Sequence, residues 1–383
     1  MNIDKEAFEF LDTLFKSHGF EIRLCGGAVR DMMLGQVPHD LDFCTNATPV
    51  DMLHMECDNI SIIRTGMAHG TLTFMNLLGS FEVTTLRNDV ETDGRHAKVV
   101  FTDSWEEDAA RRDFTINAMS MNLQGRVFDY FTGAEDLENG VVKFVGNADD
   151  RIKEDALRMI RWMRFEARFG KSTKDREAEH AIIRNADLIR KVSPERIWQE
   201  IKSASKGNNF HSFMMDMVAH FGIFHRFGIR ANLCGKAKFE NINEFMIKFP
   251  TFGMAAFLNV EEAQTFAETF KLSSKEKDEL VFFAEMKNFH FYKEFIENSI
   301  EEDCNREWIM AACKFQGLDL GAVHAETFIK PIFPIKGGDL IVPGLFAAGP
   351  RVGTALNNLK EEWVKSRFTL TKEQLLNIHY SNL

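Results

Sequence analysis

Apolar side chains near the start of the chain recur at intervals of three and four residues. This spacing places them on one side of an α-helix. We therefore expect an amphipathic helix over residues 4–17, with its apolar side packed against a core. The residues that carry the pattern are Ala7, Phe8, Leu11, Leu14 and Phe15.

Short apolar and β-branched runs, separated by turns that contain glycine, follow this helix and predict strands interleaved with short helices. Beyond about residue 148 the pattern becomes helical almost throughout. The predicted fold class is therefore α+β, an α/β head followed by an elongated, all-helical remainder. The predicted strands are Phe20–Cys25, Leu41–Thr45, Thr71–Met75, Phe81–Leu86 and Ile116–Asn122, and the predicted helices after the first are 28–34, 49–56 and 104–111.

Charge is unevenly distributed along the chain. The formal net charge is −11, which by itself argues against a nucleic-acid partner, because phosphate backbones attract basic surfaces. Residues 151–206, however, hold 15 Lys and Arg against 9 Asp and Glu, so this band carries +6 and the rest of the chain −17. A basic band within an acidic protein is suited to hold an RNA end.

The amino-terminal residues lack the basic stretch and apolar run of a secretory signal. No apolar run reaches the length of a membrane span, so we expect a soluble, cytoplasmic protein. The cysteines form no C-x-x-C pair and no Cys/His cluster with zinc spacing, and we expect buried, reduced thiols. These cysteines are Cys25, Cys44, Cys57, Cys234, Cys304 and Cys313.

Asp40 and Asp42 are the first candidate for chemistry. Alternate residues of a strand point the same way, so both carboxylates would face a cleft. Such a pair suits Mg²⁺, a hard cation bound by one or two carboxylates together with substrate phosphates. Gly26-Gly27 precedes this pair and opens a helix, where free backbone N–H groups can receive a phosphate. Either feature alone is more often a solvated surface or a loop, but together they indicate a nucleoside triphosphate.

A second group lies at Arg111-Arg112-Asp113. Arg112 is suited to bidentate contact with triphosphate oxygens. Asp113 could accept a hydrogen bond from a ribose 2′-hydroxyl, the group that distinguishes RNA-type from DNA-type substrates.

A third group is a stripe of arginines at helical spacing, with Asp155 one turn before its first member. Asp155 could accept from the exocyclic amino group of cytosine or adenine, while Arg158 donates to the adjacent ring nitrogen. Guanine and uracil present the reverse pattern, and a good bidentate pair discriminates by roughly 1–3 kcal/mol. A surface helix with intrahelical ion pairs is the simpler interpretation. The stripe consists of Arg158, Arg161, Arg164 and Arg168.

In these motifs the chain resembles the class II tRNA nucleotidyltransferases, or CCA-adding enzymes, and their bacterial poly(A) polymerase relatives. The similarity is close over residues 20–200 and patchy near the carboxyl terminus. The motifs stand in family order: Gly26 to Gly35, Asp40-Leu41-Asp42, His69-Gly70-Thr71, Glu82-Val83-Thr84-Thr85, Asp93-Gly94-Arg95, Arg111 to Ala118, Glu154 to Phe165, and Ser193-Pro194-Glu195-Arg196-Ile197.

The resemblance implies roles for these residues. Asp40 and Asp42 would bind two Mg²⁺ ions, with Glu82 as a candidate third catalytic carboxylate. Residues 87–98 correspond to a flexible loop thought to help switch from C to A addition. The residues implied in nucleotide binding are Gly26, Gly27, Arg30, Arg112, Asp113, Asn117, Asp155, Arg158, Arg161 and Arg164.

The resemblance also implies an organisation and a task. We expect a catalytic head at 1–148, a base-recognition neck at 149–206, a body at 207–330 and a tRNA-binding tail at 331–383. The implied activity is addition of C, C and A to the 3′ end of tRNA from CTP and ATP, by a monomer or homodimer without DNA or membrane partners. A poly(A) polymerase, a CC-adding or A-adding enzyme and a non-catalytic binding protein remain alternatives.

Overall fold

The computed structural model describes residues 5–381, apart from residues 39, 56–59, 93–96, 172–173, 208, 234–242, 287–304, 319–321, 323–324, 328–331, 343–345, 348 and 367. The described residues form two compact units. One comprises residues 1–233 with 265–272, and the other residues 234–264 with 273–383. The domain boundaries expected at 148, 206 and 330 remain predictions.

The head is built on a seven-stranded sheet in the order β3-β4-β5-β2-β1-β8-β9, in which β2 and β5 run parallel and the other pairs antiparallel. A separate two-stranded sheet joins β6 to β7. The strands are β1 (Ile22–Cys25), β2 (Asp42–Thr45), β3 (Ser61–Gly66), β4 (Thr71–Asn76), β5 (Gly79–Thr85), β6 (Arg87–Thr92), β7 (Ala97–Phe101), β8 (Ser120–Met121) and β9 (Val127–Phe128).

The predicted amphipathic helix is present as α1 (Lys5–Ser17), and its apolar side covers the sheet. The ring of Phe8 lies 5.1 Å from that of Phe43 on β2, and Phe15 lies 5.4 Å from Phe74 on β4. The other head helices are α2 (Gly27–Met33), α3 (Pro49–Leu53), α4 (Trp105–Ala110) and α5 (Gly133–Asn139).

The strand predicted over Ile116–Asn122 is mostly wrong. Residues Thr115–Asn117 form a 3₁₀ turn, and only Ser120–Met121 pair in the sheet. The side chain of Asn117 donates to the carboxylate of Asp113. Such local side-chain hydrogen bonds favour turns over strands.

The basic band folds into helices that surround α7 (Leu157–Phe169). Its predicted apolar side, which includes Ile160 and Met163, is buried. Trp162, also buried, donates from its indole nitrogen to the carbonyl of Val142, 2.8 Å away. Ring contacts of Phe165 with Phe114 seat the helix on the head. The neighbouring helices are α6 (Ala148–Glu154), α8 (Arg176–Asn185), α9 (Pro194–Ser205) and α10 (Phe210–Met215).

The rest of the described chain is mainly helical, as predicted, and the second unit has aromatic cores of its own. Phe252 and Phe283 lie 4.6 Å apart between two of its helices. Near the carboxyl terminus Trp363 packs with Leu340 and Leu375. Within the described residues, no helix combines the length and apolar character needed to cross a membrane. The helices are α11 (Asn243–Lys248), α12 (Pro250–Ala255), α13 (Val260–Thr269), α14 (Ser274–Met286), α15 (Arg306–Phe315), α16 (Pro350–Lys365) and α17 (Lys372–Ser381).

Candidate active site

Asp42 and Glu82 lie side by side on the exposed face of the head sheet. Strands β2 and β5 pair in parallel with Asp42 opposite Glu82. The next residues along each strand, Phe43 and Val83, are buried in the core. Because side chains alternate along a strand, both carboxylates project from the open face.

Asp40 lies near this pair but not on the strand. β2 begins at Asp42, and Asp40 occupies a bend two residues earlier. The expectation that both aspartates share one strand is therefore wrong, although both are exposed. Although Asp42 is exposed, the surrounding residues partly desolvate its carboxylate. This desolvation and the nearby carboxylates of Glu82 and Asp40 raise the pKa of Asp42, and Arg112 opposes this rise. The negative charges therefore repel one another, and a bound cation would relieve the repulsion.

The donor set fits a cation that also binds substrate. In the described part of the chain, no three His, Cys, Asp or Glu side chains converge closely enough to hold a metal ion by themselves. Mg²⁺ typically uses one or two carboxylates and completes its shell with water and phosphate oxygens. Asp40, Asp42 and Glu82 suit this mode of binding better than a closed protein cage.

Gly26 forms the turn between β1 and α2, and Gly27 is the first residue of α2. Gly26 has φ +66°, which favours glycine. A Cβ atom at Gly26 would lie 2.8 Å from Nη1 of Arg112. The turn therefore needs glycine both for its backbone conformation and for the close approach of this guanidinium.

Arg112 is oriented by Asp108, a buried residue of α4. Nη2 of Arg112 lies 3.1 Å from one carboxylate oxygen of Asp108, and Arg111 lies 2.7 Å from the other. Burial raises the pKa of Asp108, but the two guanidinium groups outweigh burial and hold it below its ordinary value. Arg112 also donates to Sγ of Cys44 and to the carbonyl of Asn117. It is thus held beside both the glycine turn and Asp42.

Arg30, Asn117 and Asp113 form a buried polar network. Nη1 of Arg30 donates to Oδ1 of Asn117, 2.5 Å away, and Nδ2 of Asn117 donates to Oδ1 of Asp113 at 3.0 Å. Arg30 is 5% exposed and also pairs with Asp31. The structure therefore brings three predicted nucleotide-binding residues together, with Arg30 beneath the surface.

Asp155 and Arg158 flank the start of α7. Asp155 lies between α6 and α7, where Arg196 of α9 approaches its two oxygens at 3.3 and 2.7 Å. Arg158 pairs with Glu154 at 2.7 Å and donates to the carbonyl of Arg111. The two predicted base-reading groups therefore lie at the start of α7, and Arg158 joins this point to Arg111 at the end of α4.

The remaining arginines of the stripe are held by acids. Arg161 lies 2.6 Å from Asp113, and both Arg161 and Arg164 contact Glu200 of α9. Arg168 is farther along and reaches Asp31. The stripe predicted from helical spacing is real, but most of its charge is paired.

The predicted site residues did not include Asp108, Arg196 or Glu200, although Arg196 belongs to the motif at 193–197. Arg196 and Glu200 are one helical turn apart on α9 and hold partners some 36–41 residues away in sequence. Helical spacing identifies residues on one side of one helix, but it does not identify which helix lies opposite. Only the four-residue spacing of Asp108 and Arg112 could have indicated one of these contacts, because residues four apart are neighbours on a helix.

The expectation of buried, reduced thiols is confirmed for Cys25, Cys44 and Cys313. The other three predicted thiols, Cys57, Cys234 and Cys304, and the Asp93-Gly94-Arg95 motif lie outside the described residues.

Comparison with known proteins places this arrangement in a family. Residues 22–143 match a family model described as "Poly A polymerase head domain", and residues 175–227 match one described as "Probable RNA and SrmB- binding site of polymerase A". The mitochondrial CCA tRNA nucleotidyltransferase 1 of Danio rerio is 35% identical, with 98% of this chain and 93% of that protein covered. The CCA-adding enzyme of Geobacillus stearothermophilus is 30% identical, with 97% and 95% covered.

Solved structures agree with this assignment. The crystal structure of the Bacillus stearothermophilus CCA-adding enzyme in complex with CTP matches with a TM-score of 0.78 at 25% identity, covering 99% of this chain and 98% of that chain. The Thermotoga maritima CCA-adding enzyme complexed with tRNA shares the fold, with a TM-score of 0.64 at 18% identity, covering 98% and 95%.

The expected cytoplasmic location is contradicted by these comparisons. The similar proteins of Danio rerio, Homo sapiens and Mus musculus are all named as mitochondrial. The cytoplasmic location was inferred from the absence of a secretory signal and of a membrane-length apolar run. These two features do not distinguish a cytoplasmic protein from a mitochondrial one.

Near-complete coverage at 35% identity, together with the ordered motifs around one sheet face, establishes the relationship. The chain belongs to the class II CCA-adding tRNA nucleotidyltransferase family, whose members are enzymes.

Proposed function

We propose that the protein adds C, C and A in turn to the 3′ end of tRNA, using CTP and ATP and releasing pyrophosphate. The observation that carries this proposal is the convergence of Asp42 and Glu82, the Gly26 turn and Arg112 on one face of the head. Carboxylates for a metal, a turn for phosphate and a cation for the triphosphate are the parts that nucleotidyl transfer requires.

Asp40 and Asp42 are proposed to hold Mg²⁺, with Glu82 as the third carboxylate beside them. When bound, two such ions would promote attack by the RNA 3′-hydroxyl and stabilise the leaving pyrophosphate. Arg112, backed by Asp108, neutralises triphosphate oxygens next to the Gly26-Gly27 turn. Arg112 can do so because its guanidinium already lies against that turn.

Residues of the predicted neck, 149–206, are proposed to select the base of the incoming nucleotide. Asp155 accepts from the exocyclic amino group of cytosine or adenine, and Arg158 donates to the neighbouring ring nitrogen. Arg196 keeps the carboxylate of Asp155 in place by approaching both of its oxygens. One protein site can therefore accept both C and A while it rejects G and U.

Arg30 is proposed to position the Asp113 loop from a buried location and not to contact the nucleotide itself. Its guanidinium is buried and is directed at Asn117 and Asp31, so it holds the Asp113 loop in position. Asp113 is proposed to recognise the ribose. Arg161 and Arg164 lie behind it and join this loop to α9 through Glu200.

The decisive experiment supplies purified protein with tRNA that ends at the discriminator base, Mg²⁺ and each labelled triphosphate, singly and mixed. We expect growth that stops after C-C-A. A long A ladder would instead indicate a poly(A) polymerase, an alternative favoured by the name of the matching head model. Addition of A alone, or of C-C alone, would indicate a narrower enzyme. If no product forms, the alternative that remains is a non-catalytic binding protein.

A matched pair of variants tests the proposed carboxylates. Asp40→Asn should abolish incorporation, because Asp40 is exposed beside Asp42 and contributes charge rather than core packing. Glu138→Gln, an exposed residue of α5, should retain full incorporation.

A further inference from the structure

Arg161 of α7 lies between two buried carboxylates. Its Nε and Nη2 atoms lie 2.8 and 2.6 Å from Oδ2 of Asp113, and its Nη1 lies 3.3 Å from Oε1 of Glu200. Asp113 and Glu200 are 9% and 8% exposed. The guanidinium is therefore shared unequally, with short contacts to Asp113 and one long contact to Glu200.

Donors occupy both oxygens of the Asp113 carboxylate. Oδ1 accepts from the backbone nitrogen of Phe114 at 2.9 Å and from Nδ2 of Asn117 at 3.0 Å. Oδ2 accepts from Nε of Arg161 at 2.8 Å, and Nη2 of the same guanidinium lies 2.6 Å from Oδ2 as an ion-pair contact. Oδ1 therefore has both acceptor positions filled, and the guanidinium of Arg161 lies against Oδ2, where a ribose hydroxyl would have to donate. In this arrangement Arg161 competes with a nucleotide for Oδ2 of Asp113.

Arg161 is the donor that can leave. The backbone of Phe114 and the side chain of Asn117 belong to the same turn as Asp113 and are fixed by it. Arg161 is on another helix and already reaches a second carboxylate. Oε2 of Glu200 accepts from Nε of Arg164 at 2.6 Å, whereas Oε1 receives only the long contact from Arg161 among the described residues.

We infer that Glu200 is a positioning residue for ribose recognition, because it draws Arg161 from Asp113 and thereby frees Oδ2 to accept the nucleotide 2′-hydroxyl. This inference rests on the proposed function, in which Asp113 recognises the ribose. The exchange keeps Arg161 paired, since its guanidinium passes from one buried carboxylate to another. The 2′-hydroxyl then replaces the lost donor on Asp113, so that no buried acceptor is left without a partner.

The test compares ATP with 2′-deoxyadenosine triphosphate as substrates for tRNA that ends in C-C. Glu200→Gln carries no charge to attract Arg161, so Arg161 stays on Asp113 and the 2′-hydroxyl gains no hydrogen bond. We expect the ratio of kcat/KM for ATP over 2′-dATP to fall about tenfold. The fall should arise mainly from a higher KM for ATP. Glu195→Gln, an exposed carboxylate of the same helix paired with Lys271, is the control and should keep the wild-type ratio.

A purely structural role for Glu200 predicts a different result, namely equal losses with ATP and 2′-dATP, and that result would overturn the inference. If Glu200→Gln does not fold, Glu200→Asp retains the charge but is one methylene shorter. We expect its ATP preference to fall below that of the wild type, and an unchanged preference contradicts the inference.

The wild-type protein separates the two proposals. If it adds neither nucleotide, the proposed function fails. If it adds ATP and 2′-dATP equally well, addition of the terminal A stands, but ribose recognition by Asp113 and the role of Glu200 are both rejected.

Discussion

Asp42 on β2 lies opposite Glu82 on the parallel strand β5, with Phe43 and Val83 buried directly beyond them. The register therefore places two like charges together at the surface. The pKa of Asp42 is raised by partial burial and by these neighbouring carboxylates. Like charges opposite each other destabilise a sheet unless something neutralises them. The protein keeps an arrangement that costs stability at the place where the proposed chemistry needs charge.

Asp42→Asn should separate activity from stability. Loss of the carboxylate should lower nucleotide incorporation by about a thousandfold, roughly 4 kcal/mol of transition-state stabilisation. The free energy of unfolding should be unchanged or up to about 0.5 kcal/mol higher, because repulsion with Glu82 is removed. Single-turnover incorporation and urea unfolding measure the two effects. Activity near that of the wild type would exclude Asp42 from the catalytic site.

Replacing both Asp155 and Arg158 by alanine should relax the choice of base. Without the paired acceptor and donor, we expect preference for C and A over U and G to fall by about ten- to a hundredfold. Incorporation of each labelled triphosphate into tRNA measures the preference. Arg184→Ala, which breaks an exposed ion pair with Asp149 on the neck helices, should leave it unaltered. Unchanged selectivity in the double variant would reject this base-reading pair.

Asp108→Asn should weaken both nucleotide binding and the fold. The substitution leaves Arg111 and Arg112, both largely buried, without their shared counter-charge, which costs about 3 kcal/mol of unfolding free energy. Because the pKa of Asp108 is depressed in the folded state, its stabilisation is present above the ordinary carboxyl pKa and is lost as pH falls through the folded value.

Urea unfolding at several pH values and the KM for CTP measure these effects of Asp108→Asn. The expected outcome is a higher KM and a smaller loss of stability in acid than in the wild type. Asp103→Asn, an exposed aspartate just before α4, is the control. Equal KM values for Asp108→Asn and wild type would show that Asp108 does not orient Arg112 towards the nucleotide.

Glu166 of α7 should make stability depend on pH near neutrality. Burial raises its pKa from 4.5 to about 7, although the backbone N–H of Val142 and nearby Lys174 oppose the rise. The folded state therefore holds a proton that the unfolded state releases. Stability from this group is fully present below pH 4.5 and is lost as pH rises through about 7.

Glu166→Gln imitates the protonated form at every pH. We expect it to match the wild type at pH 4.5 and to exceed it at pH 8 by up to about 3 kcal/mol in free energy of unfolding. Glu138→Gln should show no such difference. Parallel pH profiles for Glu166→Gln and wild type would mean that Glu166 is ionised in the folded protein at neutral pH.

Local patterns predicted the elements whose partners lie on the same helix or strand. The apolar sides of α1 and α7 are buried as expected, because both follow from a 3.6-residue period. The period-two pattern likewise put Phe43 in the core and Asp42 outside it. The pattern failed at Ile116–Asn122, where an Asn117–Asp113 hydrogen bond and packing of the Thr115–Asn117 turn against α2 and α5 override an apparent strand.

Long-range partners were not predictable in this way. Nothing near Arg161 in the sequence indicates that Glu200 lies opposite it, and nothing near Asp155 indicates Arg196. These pairs exist because α9 packs along α7 and presents an acid and a base one turn apart. From the sequence alone, a charged residue on a helix is predicted to face solvent. The prediction changes only when the helix that covers the residue is known.

The sequence by itself determined the mixed head, the helical remainder, the alternation of Asp42 with Phe43 and the arginine stripe, because each depends on residues close together in the chain. Only the tertiary structure decided which charges are available. It buried Arg30, occupied both oxygens of Asp113, and placed Arg161 between two carboxylates. The physical reason is that the free energy of a charge depends on its solvent exposure and its partners, and packing of distant segments sets both.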